Sequence, residues 1–219
     1  MSSRARKPRS ESLAKVGRRS YHHGDLGNAL LDAASEAIAE HGLAELRMRD
    51  LTRRIGVSHG APANHFKDRD ALLIALAIQG FERLIERQRA VLTEQHATPA
   101  AALIAIGVAY VQFAADCPSH FEVMFQRRLL LRDPELAKVA ARCFEQLLGA
   151  VAATTPKPGK SHGRKQNELV ALGGWALVHG LATLQTQGLL PSDRKDVAKV
   201  ASDVLAALTE LDTMARRAR

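Results

Sequence analysis

The chain has 219 residues, 46% hydrophobic and 25% charged, enough to bury a core and build two modest domains. Aromatic residues make up only 4% while Ala and Leu are abundant, a balance that favours helix. Lys plus Arg outnumber Asp plus Glu by 31 to 23, a formal charge of +8, and the two cysteines, Cys117 and Cys143, fit neither a metal-ligand spacing nor a disulfide framework.

Residues 1–20 read as a disordered basic arm. They are polar and lack periodicity, and residues 1–24 carry a net charge of +6 that suits phosphate contacts beside a nucleic-acid-binding unit. The arm has no apolar stretch of the kind a signal peptide needs. His22 and His23 are adjacent but bring no further ligands, so no metal is expected there.

Ordered structure is expected from Tyr21. Asp25 can cap a first helix over 26–41, whose Leu26, Leu30, Ala33, Ala37 and Ile38 recur at helical spacing. Gly42 ends it. A second helix is predicted over 48–55, with Met48, Leu51 and Ile55 inward and Arg49, Arg53 and Arg54 outward. Gly56-Val57-Ser58 then reads as a tight turn, with Gly56 free to take positive φ and Ser58 suited to cap a third helix over 59–65. Pro62 falls where a missing N–H costs little. Helix, Gly-containing turn and short helix outline a helix-turn-helix.

A long fourth helix is predicted from Asp68, a possible cap, to about Gln95. Thr98-Pro99 starts a charge-free helix to Ala115, too short for a membrane span. Pro118 breaks the chain before an aromatic stretch with Phe121 and Phe125, and Asp133-Pro134 begins another helix to about Ala153. TTPKPGKSHG, 154–163, is the clearest loop. The last two helices are predicted over 164–188 and 192–215. Small residues at Gly173, Ala176, Gly180 and Thr183 mark the former, and a stripe of Val197, Ala201, Val204, Leu208 and Leu211 the latter. The uncharged run 169–190 holds His179, Thr183 and Gln185, which fits a buried helix better than a membrane span.

Several words carry a family resemblance together. Ala33-Ala34, Gly42, Met48-Arg49-Asp50-Leu51, Ile55-Gly56-Val57-Ser58, Gly60-Ala61-Pro62, His65-Phe66 and Lys67 through Leu73 resemble the DNA-binding domain of the TetR family over residues 22–75. Trp175, His179 and Gly180 spell W-x-x-x-H-G, which is similar to the C-terminal WHG domain of one TetR subgroup. The resemblance implies an all-α chain: a helix-turn-helix DNA-binding domain over 21–67, joined by a long helix to a ligand-binding and dimerisation domain over 68–219.

The resemblance also implies which residues meet DNA: Arg47, Arg49 and Ser58, then His59, Gly60, Ala61, Ala63, Asn64 and His65, and finally Lys67 on phosphate. Asn64 alone among the exposed candidates suits a bidentate contact with adenine. Arg47 stands where the family has a capping Ser or Thr, and Ala63 where many members have a Tyr that touches the backbone. Candidate pocket residues are Phe81, Tyr110, Phe113, Phe121, Met124, Phe125, Trp175 and His179. The implied partners are palindromic double-stranded DNA, a second copy of the chain met through the last two helices, and a small-molecule effector. A cytoplasmic protein is implied, with no cofactor, metal or membrane.

Two other functions compete. Gly56 to Gly60 spells G-x-S-x-G, the nucleophile word of hydrolases, but that word requires a buried strand before it. Leu51 to Ile55 is charged and helical, so no enzyme is expected. A helical interaction protein that has lost specific DNA reading is the remaining alternative, favoured by Ala63 and Arg47.

Overall fold

The computed structural model describes residues 26–154, 163–189 and 198–207. The basic arm, the 21–25 lead-in with its Asp25 cap, most of the 154–163 loop, and Val197, Leu208 and Leu211 lie outside them. Every regular element among the described residues is a helix. They are α1 (Leu26–His41), α2 (Met48–Ile55), α3 (Arg69–Thr93), α4 (Pro99–Asp116), α5 (Pro118–Met124), α6 (Arg127–Arg132), α7 (Pro134–Thr154) and α8 (Arg164–Thr186). Short 3₁₀ turns lie at Leu43–Glu45 and Ala61–Asn64, and residues 198–207 are helical.

Local chemistry sets the helix ends. Asp68 accepts from the Ala71 N–H at 2.8 Å, Thr98 from Ala101 at 3.1 Å and Asp133 from Leu136 at 2.9 Å, so each caps the helix that follows. Gly56 closes α2 in the left-handed region, φ 73°. Its N–H reaches the Arg53 carbonyl and Val57 N–H reaches that of Thr52, the paired bonds of a Schellman ending.

α1, α2 and the start of α3 enclose one end of the core around Leu30, Ala34, Leu51, Leu72 and Leu73, all buried. α3 runs on from this end to pack against α4, α5 and α7. α4, expected to be too short for a membrane span, runs one residue further to Asp116, and both it and α8 are long and apolar enough, by length and composition, to cross a membrane. In α4 that apolarity serves the core: Ile106, Tyr110, Val111, Phe113 and Ala114 are buried. Helical residues 198–207 pack over it, and a Cβ added at Gly107 would come within 2.6 Å of Leu205 Cδ1. Gly107 therefore permits that close approach.

α8 differs. It is not the buried helix expected over 169–190: within this chain it buries only Ala171, Val178 and Ala182 and leaves Leu169, Leu172 and Leu184 exposed. Those leucines share an outward side with Gly173, Ala176 and Gly180, and a Cβ at either glycine would meet nothing within 4 Å. Of the stripe expected on the last helix, the described members are Ala201, 1% exposed within this chain, and Val204, half-buried.

Candidate nucleic-acid interface

The segment after Gly56 departs from the expected third α-helix. Ser58, His59 and Gly60 form a turn, and only Ala61–Asn64 is helical, as 3₁₀. Pro62 has no N–H to give the Ser58 carbonyl, which accepts from Ala61 instead at 3.1 Å. Gly60 adds backbone freedom that resists α-helix. The cap position of the 3₁₀ turn falls on Gly60, which has no side chain to cap with, and not on Ser58 as expected.

This turn nevertheless leaves most of the expected residues outward. Pro62 and Phe66 point in, Pro62 buried and Phe66 packed on the core. Ser58, His59, Gly60, Ala63, Asn64, His65 and Lys67 are exposed, and Ala61 is half-buried. His65 leans back on α1: a Cβ at Gly27 would sit 3.4 Å from its Nδ1.

Cations surround the turn. Arg47, Arg49 and Arg53 are exposed; Arg47 lies 3.4 Å from Glu45 and Arg49 3.8 Å from Asp50, while Arg53 hydrogen-bonds Asp50 at 2.9 Å. Arg47 occupies the cap position of α2 without a side-chain cap bond, because a guanidinium has no acceptor for a backbone N–H. Arg54 is committed elsewhere, since it pairs with Glu36 and Glu40 on α1. The hydrogen bond from Arg54 is the main reason the Glu40 carboxyl lies below its ordinary range.

Sequence reasoning missed Thr52. It sits 1% exposed between two outward arginines, with Oγ1 2.8 Å from the Arg49 carbonyl and 3.2 Å from His59 Nδ1. Its spacing of four from Met48 and three to Ile55 places it on the inward face, a signal that was available.

Two ties hold this unit to the rest. Ser119 on α5 donates to the Ser35 carbonyl of α1 at 2.7 Å. Arg128 and Arg132 on α6 both pair with Asp70 at the start of α3, and Arg132 also reaches Asp68 at 2.9 Å. The Arg128 guanidinium chiefly holds the Asp70 carboxyl below its ordinary range.

Of the eight pocket candidates, six form one aromatic cluster. Phe125 is central, with ring centroids 5.5 Å from Phe81, 5.4 Å from Phe121, 6.1 Å from Trp175 and 4.6 Å from His179. Tyr110 closes it with two polar contacts: its hydroxyl is 2.9 Å from His179 Nδ1 and accepts from Trp175 Nε1 at 3.3 Å. Burial pushes the Tyr110 hydroxyl pKa up and the His179 ring pKa down, so both are held neutral. Phe144 joins through Trp175 at 6.2 Å and was not anticipated.

Two candidates fall aside. Phe113 packs under Arg87, 5.9 Å from its ring centre. Met124 covers Gly80, where a Cβ would come within 2.7 Å of its Sδ. Cys143 lies beside the cluster in the core, and burial pushes its thiol up to about 12, the opposite of a reactive thiolate.

Comparison with known proteins follows the same division. Residues 30–76 match the model of bacterial regulatory proteins of the tetR family, and residues 103–208 match the tetracyclin repressor-like C-terminal domain. The HTH-type transcriptional repressor Rv1474c of Mycobacterium tuberculosis is 44% identical over 55 residues, 25% of this chain and 29% of that one. The uncharacterised HTH-type regulator YobS of Bacillus subtilis is 26% identical over 93 residues, 42% of this chain and 48% of that one, so the chain spans less than half of either curated relative.

Among solved structures, a Rhodococcus sp. RHA1 protein of unknown function is 32% identical with a TM-score of 0.68, covering 85% of this chain and 96% of that one. The fatty acid degradation regulator FadR of Bacillus halodurans, at 18% identity and a TM-score of 0.67, covers 82% of this chain and 93% of that one and shares the fold. With a helix-turn-helix at one end, an aromatic-cored helical domain at the other and a family model matched by each, the chain belongs to the TetR family of bacterial transcriptional regulators.

Proposed function

We propose that the protein is a homodimeric repressor that binds a palindromic operator and releases it when a small molecule enters the C-terminal domain. The observation that carries the DNA-reading half is the turn after Gly56, which leaves His59, Gly60, Ala63, Asn64 and His65 outward, with Arg47, Arg49, Arg53 and Lys67 exposed around them. Neutral polar groups suit base edges, and cations suit phosphate. The division into an arm, a DNA-binding domain over 21–67 and an effector domain over 68–219 is part of this reading.

Dimerisation is supported by α8. A side of exposed leucines and small residues on one helix lets a second helix approach closely and bury apolar surface. Two helix-turn-helix units must then meet half-sites about one DNA turn apart, or a multiple of it. The effector fits the aromatic cluster by chemistry. The rings are uncharged, and their polar groups are the Tyr110 hydroxyl, Trp175 N–H and His179 imidazole. That combination suits an apolar body with a single hydrogen-bonding group. Such a ligand releases DNA only if it binds the two states with different affinity.

The 3₁₀ form of the reading segment favours a second reading, a helical interaction protein that no longer distinguishes sequences. Selection of bound fragments from random and genomic DNA separates the two. A palindromic motif supports the repressor, and salt-sensitive binding without a motif supports the alternative.

A further inference from the structure

Thr52 and His59 carry an inference that rests on the DNA-reading role proposed above. A threonine hydroxyl has one proton. A backbone carbonyl can only accept, so the 2.8 Å contact between Thr52 Oγ1 and the Arg49 carbonyl takes that proton. The 3.2 Å contact to His59 Nδ1 must then run the other way, with the ring N–H donating to a lone pair of Oγ1. A neutral imidazole carries a proton on one nitrogen only. Nε2 is therefore left as an acceptor, and the His59 side chain is exposed.

We infer that Thr52 locks His59 in the Nδ1–H tautomer, so that His59 offers a lone acceptor at Nε2 and selects a base with an exocyclic amine, adenine N6 or cytosine N4, in the major groove. Guanine O6 and N7 and thymine O4 are acceptors and would face Nε2 lone pair to lone pair. His59 lines a shallow groove with Arg49, Thr52, Arg53 and Val57, so cations for flanking phosphates lie beside the reading atom. Thr52 touches no base. It is a positioning residue, itself 1% exposed.

The test has two readouts on the full-length protein. Nitrogen-15 spectra of the His59 ring at neutral pH report the tautomer directly. The expected result is Nδ1–H in the parent protein and in Thr52→Ser, with a shift toward Nε2–H in Thr52→Val. Selection from random DNA reports the consequence. One position per half-site should prefer adenine or cytosine by about three- to tenfold, the worth of one hydrogen bond. His59→Ala should abolish that preference while leaving the rest of the motif intact. Thr52→Val should weaken it and Thr52→Ser should restore it.

An Nε2–H ring in the parent protein, or a motif unchanged by His59→Ala, overturns the inference while leaving the DNA-reading role standing. Absence of any motif removes both. If Thr52→Val fails to fold, the parent spectrum and His59→Ala still decide the matter.

Discussion

Ser119 on α5 donates its hydroxyl proton to the backbone carbonyl of Ser35 on α1, across 84 positions of sequence and 2.7 Å of space. The next residues of α5 face other elements. His120 lies against α3, 3.3 Å from Arg83 and 2.9 Å from Gln79, and Phe121 packs on Tyr110 and His179. One short helix thus touches both the DNA-binding end and the aromatic cluster. Ser119→Ala should cost about 1 kcal/mol, the net worth of one such bond. For a chain of this size that lowers the melting temperature by about 2–4 °C in a thermal scan.

His120 gives a pH dependence with a definite sign. Burial, with the Arg83 cation adding to it, lowers its pKa from 6.5 to about 4. Below pH 6.5 the unfolded chain binds a proton that the native ring refuses, so stability falls as pH drops. The loss continues until the native ring titrates near pH 4, and it amounts to something on the order of 3 kcal/mol at about 1.4 kcal/mol per pH unit. Denaturant melts across this window should flatten in His120→Gln. An unchanged slope would mean that other groups carry the acid sensitivity.

Tyr110→Phe removes the hydroxyl that both Trp175 and His179 meet. Two half-buried polar groups lose their partner, which should cost about 2 kcal/mol. Equal melting curves for variant and parent would mean that the three groups are independent.

On the DNA side, Lys67→Ala should weaken binding to all sequences alike and reduce the salt slope by about one unit. Asn64→Ala should act differently, relaxing preference at one base pair by about 1–3 kcal/mol if its contact is bidentate. Competition titrations at several salt concentrations separate the two effects.

Leu172→Asp places a charge in the middle of the outward side of α8, beside exposed Leu169 and Gly173. It should yield monomers in sedimentation while leaving helix content unchanged. A variant that stays dimeric would move the interface away from α8.

Much of the fold was legible in the sequence because the signals are local. Asp68, Thr98-Pro99 and Asp133-Pro134 start helices, and Gly42 and Gly56 end them, through bonds reaching only three to five residues along the chain. The third helix departs from the expected α form because Pro62 cannot donate to the Ser58 carbonyl, and the segment is a 3₁₀ turn over Ala61–Asn64. Its outward residues survived that departure, since both forms turn Pro62 inward. Thr52 was missed because a hydroxyl next to Arg53 and Arg54 reads as polar surface, although its spacing from Met48 is that of the buried face. Phe144 and Ser119 were beyond reach. Their partners are distant in sequence, and no periodicity records a bond from Ser119 to a carbonyl on α1.

The most direct test of the central claim is selection of bound fragments from random and genomic DNA, at near-physiological salt with competitor, by the purified full-length protein. The account predicts a palindromic motif with half-sites about one helical turn apart, or a multiple of it. Binding that fades with salt and yields no motif would contradict it.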